Sequence, residues 1–149
     1  MAINSVRTVL TPDEVFEHLL NPWEYPKWLL GASDMRAVDS DWPEVGSNFH
    51  HRVGFGPLKV ADRSQILELD PPRRLVLLVK ATPIVQGKVT FTVEPDGTGG
   101  SLLTLEEGPA VRAGNLLRPL LDPATHVRNQ RSLRQLADLM HPGDGRSAA

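Results

Sequence analysis

Residues 66–79, ILELDPPRRLVLLV, constrain this chain more than any other stretch. Two runs rich in Ile, Leu and Val flank Asp70-Pro71-Pro72-Arg73. Proline locks φ and has no N–H to offer, so neither a helix nor an unbroken strand passes through the middle. The flanks are too short for ordinary helices and read as two antiparallel strands joined by a turn. Similar apolar segments at 47–55, 58–69, 75–80, 88–94 and 101–107 are separated by glycine- and proline-rich breaks. The hairpin is therefore the middle of a longer meander, with Asp96 to Gly100 as another hairpin loop.

Helical signals flank the strands. A first strand is expected within 3–10, then Thr11-Pro12-Asp13-Glu14, where Thr11 caps, Pro12 takes the first helical position and Glu14 completes a capping box. Val15, Phe16, Leu19 and Leu20 form one apolar stripe. Asn21-Pro22-Trp23-Glu24 opens a second, shorter helix, and a short strand is expected at 35–39. Near the C-terminus, Pro119 interrupts a first helical pattern and Asp122-Pro123 opens a fresh helix running to about His141-Pro142-Gly143. One domain over 1–142 with a frayed tail at 143–149 is expected, and 149 residues suffice for a genuine core.

The balance of charge and the residue types narrow the function classes. A net charge of −2 gives no bulk grip on nucleic acid or anionic membrane. With no cysteine there are no disulfides, no thiolate nucleophile and no Cys-based zinc site. The first ten residues lack the features of a signal peptide. No apolar run approaches the roughly 18 residues of a membrane span, so a cytoplasmic protein without integral membrane association is the default.

The order is one strand, two short helices, about six further strands and a long C-terminal helix. It resembles the START/Bet v 1-like (SRPBCC) superfamily, in its bacterial polyketide cyclase/dehydrase-like branch. Thr11 to Phe16 looks like that family's opening helix, and Asn21-Pro22-Trp23-Glu24-Tyr25-Pro26-Lys27-Trp28 like its second, with Asn21 replacing the usual acid. Val45-Gly46, the segment 69–75 and residues 97–105 match its strand and turn positions. The resemblance implies an α+β helix-grip fold, a curved antiparallel β-sheet of about six to seven strands wrapped around the C-terminal helix. It also implies a cavity between sheet and helix, of the kind that holds mostly apolar ligands oriented by a few polar groups.

Strand parity nominates the inward residues: Phe49, His51, Val53 and Phe55; Val60, Asp62, Ser64 and Ile66; Leu77 and Val79; Val89, Phe91 and Val93; Leu103 and Leu105. Trp28, Leu117, Leu120 and Leu121 join them from the helices, and Asn129 at the cavity mouth. Each apolar member is more often plain core than cavity wall. His51, Asp62 and Ser64 stand out, because a polar group on an inner face needs a partner. They are a ligand-orienting or acid/base set, unless a bulge returns them to solvent.

Other constellations read as structural. His50 and His51 point to opposite faces and cannot chelate one ion, so no metal is expected. His18 and Glu14, four apart, form a surface pair. Ser64, His51 and Asp62 lack the GxSxG elbow of a serine hydrolase. No cofactor is expected.

Two functions follow, with a third behind them. One is binding of a small hydrophobic molecule (a lipid, polyketide or aromatic metabolite) in the grip cavity. Its ligand-binding set is Trp28, Phe49, His51, Val53, Phe55, Val60, Ser64, Leu77, Val89, Phe91, Leu103, Leu117, Leu120, Leu121 and Asn129. The second is a cyclase/dehydratase acting on a polyketide-like substrate, with His51 as catalytic base and Asp62 as its orienter, and Ser64 or Asn129 donating to an enolate oxygen. The third is an interaction module using an apolar patch at Trp42 or Leu116 to Leu121. The chain is left open as a monomer or a homodimer.

Overall fold

A computed structural model describes residues 2–29, 32–55, 58–80, 86–109 and 118–140, with side chains for all of these but 32–34, 53–55, 58–61, 109 and 118–124. Strand β1 (Ala2–Thr8) leads to helix α1 (Pro12–Leu19), the 3₁₀ turn Pro22–Glu24 and the short helix α2 (Tyr25–Trp28). Six strands follow: β2 (Ala32–Val38), β3 (Asn48–Phe55), β4 (Leu58–Asp70), β5 (Arg74–Lys80), β6 (Gln86–Pro95) and β7 (Ser101–Pro109). Helix α3 (Arg118–Met140) completes the chain.

All seven strands form one antiparallel sheet in the order β1-β7-β6-β5-β4-β3-β2. The curved sheet and the long C-terminal helix make the α+β helix-grip fold. Sequence neighbours β1 and β2 occupy opposite edges, and α1 and α2 bridge them. Helix α3 lies against β1 and β7 at one edge, and α2 packs on both α3 and β2.

The local chemistry explains the boundaries. Thr11 and Glu14 form a reciprocal capping box, satisfying N–H groups that have no helical acceptor. The Asn21 side chain accepts from the Trp23 N–H to start the second helical turn. The turn after β4 falls at Pro71-Pro72, whose peptide is cis. Gly46, Gly97 and Gly99 take positive φ values at the loop tips, where a side chain would be strained.

The core is the inner face of the sheet against the helices. Val15, Phe16 and Leu19 of α1, Tyr25 and Trp28 of α2, and Leu133, Leu136 and Met140 of α3 meet Phe49, Ile66, Leu75, Leu77, Phe91, Val93, Leu103 and Leu105. On α3 the buried positions 129, 133, 136 and 140 repeat at helical spacing. An aromatic chain crosses this interior. Trp28 meets Phe91 edge-on, Tyr25 lies against Trp28 at 4.8 Å, and Phe49 stacks on Tyr25 at 4.9 Å.

Three expectations are corrected. Helix α3 runs unbroken from Arg118, through both Pro119 and Pro123. Pro119 lies in the first turn, where no N–H has a helical acceptor, and Pro123 forfeits one bond near the start of a long helix. His18 pairs with Glu24, at 2.8 Å, not with Glu14, whose carboxylate is held by the Thr11 cap. Trp42 is no exposed patch: it packs edge-on against Phe49 at 5.1 Å and donates its Nε1–H to the Leu20 carbonyl. The expected tail at 143–149, His141, and Leu116 and Leu117 of the suggested patch lie outside the described residues.

Candidate functional site

The register of β3 against β4 sets Phe49 opposite Ser64 and His51 opposite Asp62. Directly opposed residues share a face, so the four project together onto the inner side of the sheet. His51 is 4% exposed, Asp62 3% and Ser64 2%, which excludes the solvent-returning bulge. His51 Nε2 lies 3.2 Å from Ser64 Oγ and 3.9 Å from Asp62 Oδ2. The first is a hydrogen bond; the second is too long to be one. Phe49 stands beside the imidazole, ring centres 5.3 Å apart.

The polar capacity of this group is not used up. Asp62 Oδ1 accepts the Arg63 N–H at 2.6 Å. Asp62 Oδ2 and His51 Nδ1 are buried with no well-formed hydrogen bond among the described residues. Their contacts to the Lys80 and Arg52 main chain amount to weak pulls on their charge.

Burial sets the charge states. Desolvation lowers the His51 pKa to about 4, helped by the nearby charges of Arg36 and His50. Desolvation also raises Asp62 to about 6, against the Arg63 amide and Arg36. A close ion pair would move both the other way. The site is thus a neutral imidazole beside a carboxyl group that titrates near neutrality. Of the two groups, Asp62 is the one shifted toward neutrality and His51 the one shifted away from it.

A second polar cluster lies on the same inner face, at the β7–α3 seam. Asn129, fully buried, donates from Nδ2 to Glu107 Oε2 at 2.9 Å, and Arg128 donates to both Glu107 and Asn129 Oδ1. Next to it, Asn4 Nδ2 donates to the His126 carbonyl and to Gln130 Oε1, both at 3.0 Å. Asn129 is therefore a strut whose amide is already engaged. Glu107 was missed at the sequence level: the parity of Leu103 and Leu105 reaches it, but a carboxylate at a strand end reads as solvated.

Of the remaining candidates, Trp28, Phe49, Leu77, Phe91 and Leu103 are buried in the core, and Val89 packs half-buried against it. Val53 and Val60 are register partners and Phe55 pairs with Leu58, but their side chains lie outside the described ones. The same holds for Leu120 and Leu121, while Leu117 lies wholly outside. Among the described residues no group of three His, Asp or Glu converges to hold a metal ion, and no helix is long and apolar enough to cross a membrane. A surface crevice at the β6–β7 hairpin, lined by Arg7, Thr8, Asp96 and Thr98, is turn architecture: Asp96 Oδ1 is saturated by Thr98 and the Gly100 N–H.

A helix grip with a buried, part-satisfied polar set on its inner face defines a class of protein rather than one activity. Residues 4–141 match the family described as polyketide cyclase / dehydrase and lipid transport, and the chain belongs to it. A comparison with curated proteins gives no match. Among solved structures, a protein of Chromobacterium violaceum is similar at 21% identity and TM-score 0.67, covering 92% of this chain and 94% of its own. A protein of Nitrosomonas europaea is similar at 19% identity and TM-score 0.72, covering 96% and 95%. The di-domain ARO/CYC protein StfQ from the steffimycin biosynthetic pathway is similar at 13% identity and TM-score 0.73; the match covers 96% of this chain and 51% of StfQ.

Proposed function

We propose that the protein binds a small, mostly apolar molecule between the sheet and α3, oriented by His51, Asp62 and Ser64. One observation carries this reading: Oδ2 of Asp62 and Nδ1 of His51 are buried among aromatic and aliphatic side chains without a well-formed protein partner. Leaving such groups unpaired costs about 1–3 kcal/mol each, and a hydroxyl-bearing ligand would recover that by bonding to them. The family's description, which spans cyclisation and lipid transport, supports a role in binding or converting such a molecule. On this reading the protein works in the cytoplasm on a diffusible hydrophobic ligand, a lipid, polyketide or aromatic metabolite, without nucleic acid, metal or cofactor.

The test is to purify the protein, denature it and identify the released organic material by mass spectrometry. A stoichiometric apolar compound, lost in His51→Ala, is the expected result. An empty protein that also shows no thermal shift with a panel of hydrophobic metabolites would sink the reading.

A second reading, cyclisation with dehydration, is favoured by the Asp62 pKa of about 6. Asp62 as carboxylate would take a proton from a carbon beside a ligand carbonyl, and Ser64 or neutral His51 would donate to the enolate oxygen. Turnover that is lost in Asp62→Asn while binding is kept would separate the two.

A further inference from the structure

Strand β2 steps out of register between Met35 and Ala37: Met35 faces His51 and Ala37 faces His50, so Arg36 is the extra residue of a bulge. A bulge re-aims a side chain that regular pleating would point elsewhere. Here the Arg36 guanidinium reaches over β3 to β4. Its Nε donates to the main-chain carbonyl of His51 and its Nη2 to that of Asp62, each at 3.3 Å. Those two residues are direct register partners and the polar pair of the candidate site. One rigid fork on the solvent side therefore ties together the main chains that present the pair to the interior.

We infer that Arg36 is the positioning residue of this site, fixing the offset between His51 and Asp62 through their carbonyls. Only the planar guanidinium spans both acceptors in one geometry; a lysine reaches one at a time. The offset matters because 3.9 Å keeps the pair just short of a hydrogen bond, so Oδ2 is not taken up by the imidazole. The arginine charge acts in the same place. It helps keep the imidazole neutral and the carboxyl ionised, in company with His50 on β3 and the Arg63 and Lys80 main chain beside Asp62. Asp39, across from His50, offsets part of that field. The inference deepens the binding reading and takes its functional meaning from it.

The experiment uses ligand-free protein and NMR titration of the His51 imidazole in wild type, Arg36→Met and Arg36→Lys, with thermal melts to confirm folding. In Arg36→Met the His51 pKa should rise by roughly half a unit, because a nearby cation is gone. In Arg36→Lys the pKa should stay near wild type while the His51 ring and Asp62 amide resonances shift or broaden, since charge is kept and the fork is lost. A merely structural arginine would not divide the two readouts this way. A His51 titration in Arg36→Met that superimposes on wild type, or an Arg36→Lys spectrum unchanged at both residues, overturns the inference. If Arg36→Met does not fold, Arg36→Gln provides the same charge test. Because the readout needs no ligand, failure of the binding reading shows separately, as wild-type protein that releases no organic compound.

Discussion

Two polar clusters sit on one inner face, and they differ in how completely they are satisfied. At the β7–α3 seam, Glu107, Arg128 and Asn129 bond one another, and the neighbouring Asn4 leaves its Oδ1 without a hydrogen bond. At β3–β4, His51, Asp62 and Ser64 share one internal hydrogen bond and leave two buried atoms with none that is well formed. A closed network rigidifies; an open one keeps capacity for something else and costs stability meanwhile. The difference sets the two clusters apart, and substitutions at them should differ in how much stability they cost.

The largest expected effect is at the closed cluster. Asn129→Ala strips a fully buried donor from Glu107 and an acceptor from Arg128, and should cost about 3 kcal/mol in urea unfolding. A loss under about 0.5 kcal/mol would mean the seam is no strut.

Next comes pH dependence, where the two titrating groups of the open cluster oppose each other. His51 has a folded pKa, about 4, below its ordinary 6.5, so its contribution to stability is present at high pH and is lost as pH falls from 6.5 toward 4. Asp62 has a folded pKa, about 6, above its ordinary 3.8, so its contribution is present below 3.8 and is lost as pH rises through 6. The two slopes offset between pH 4 and 6. Asp62→Asn should expose the His51 slope, a fall of about 3 kcal/mol from pH 7 to pH 4 by chemical denaturation. His51→Phe should expose the opposite slope, with stability higher at pH 4 than at pH 7. Parallel profiles in the two variants would refute the assignment.

A smaller effect sharpens the contrast in size. His51→Phe replaces a buried, part-satisfied ring by an apolar one beside Phe49, and at pH 7 should change stability by no more than about 1 kcal/mol. Ligand recovery, by the same mass spectrometry, should nevertheless collapse. Ser64→Ala, which removes one neutral hydrogen bond to His51, should cost about 0.5–1 kcal/mol in the same unfolding assay.

Strand parity placed Phe49, His51, Asp62 and Ser64 on the inner face from sequence, because side chains alternate and β3 and β4 carry no register shift where they pair. The Thr11 capping box was equally readable, since cap and acid are three residues apart. What escaped depended on contacts between distant segments. The β2 bulge that frees Arg36 leaves no local signature, and Glu107 gains its meaning only from α3. His18 chose Glu24 over Glu14 because the cap had already claimed Glu14. The pKa order of His51 and Asp62 depends on burial and on a separation that spacing along the chain does not encode.

The placement of β1 has a consequence for how the chain is made. Its strand partner is β7, and its other neighbour is α3, to which Asn4 reaches 126 positions along the chain. The first strand therefore emerges from the ribosome roughly a hundred residues before anything it pairs with, a wait of about 5–20 s at ordinary synthesis rates. The six strands from β2 to β7 can assemble by successive hairpins in the meantime, while the entropy of closing so long a loop delays the last pairing. Completion of the grip, and of the seam that Asn4 and Asn129 fasten, is thus the final folding event, and β1 is the segment most exposed to misassembly before it.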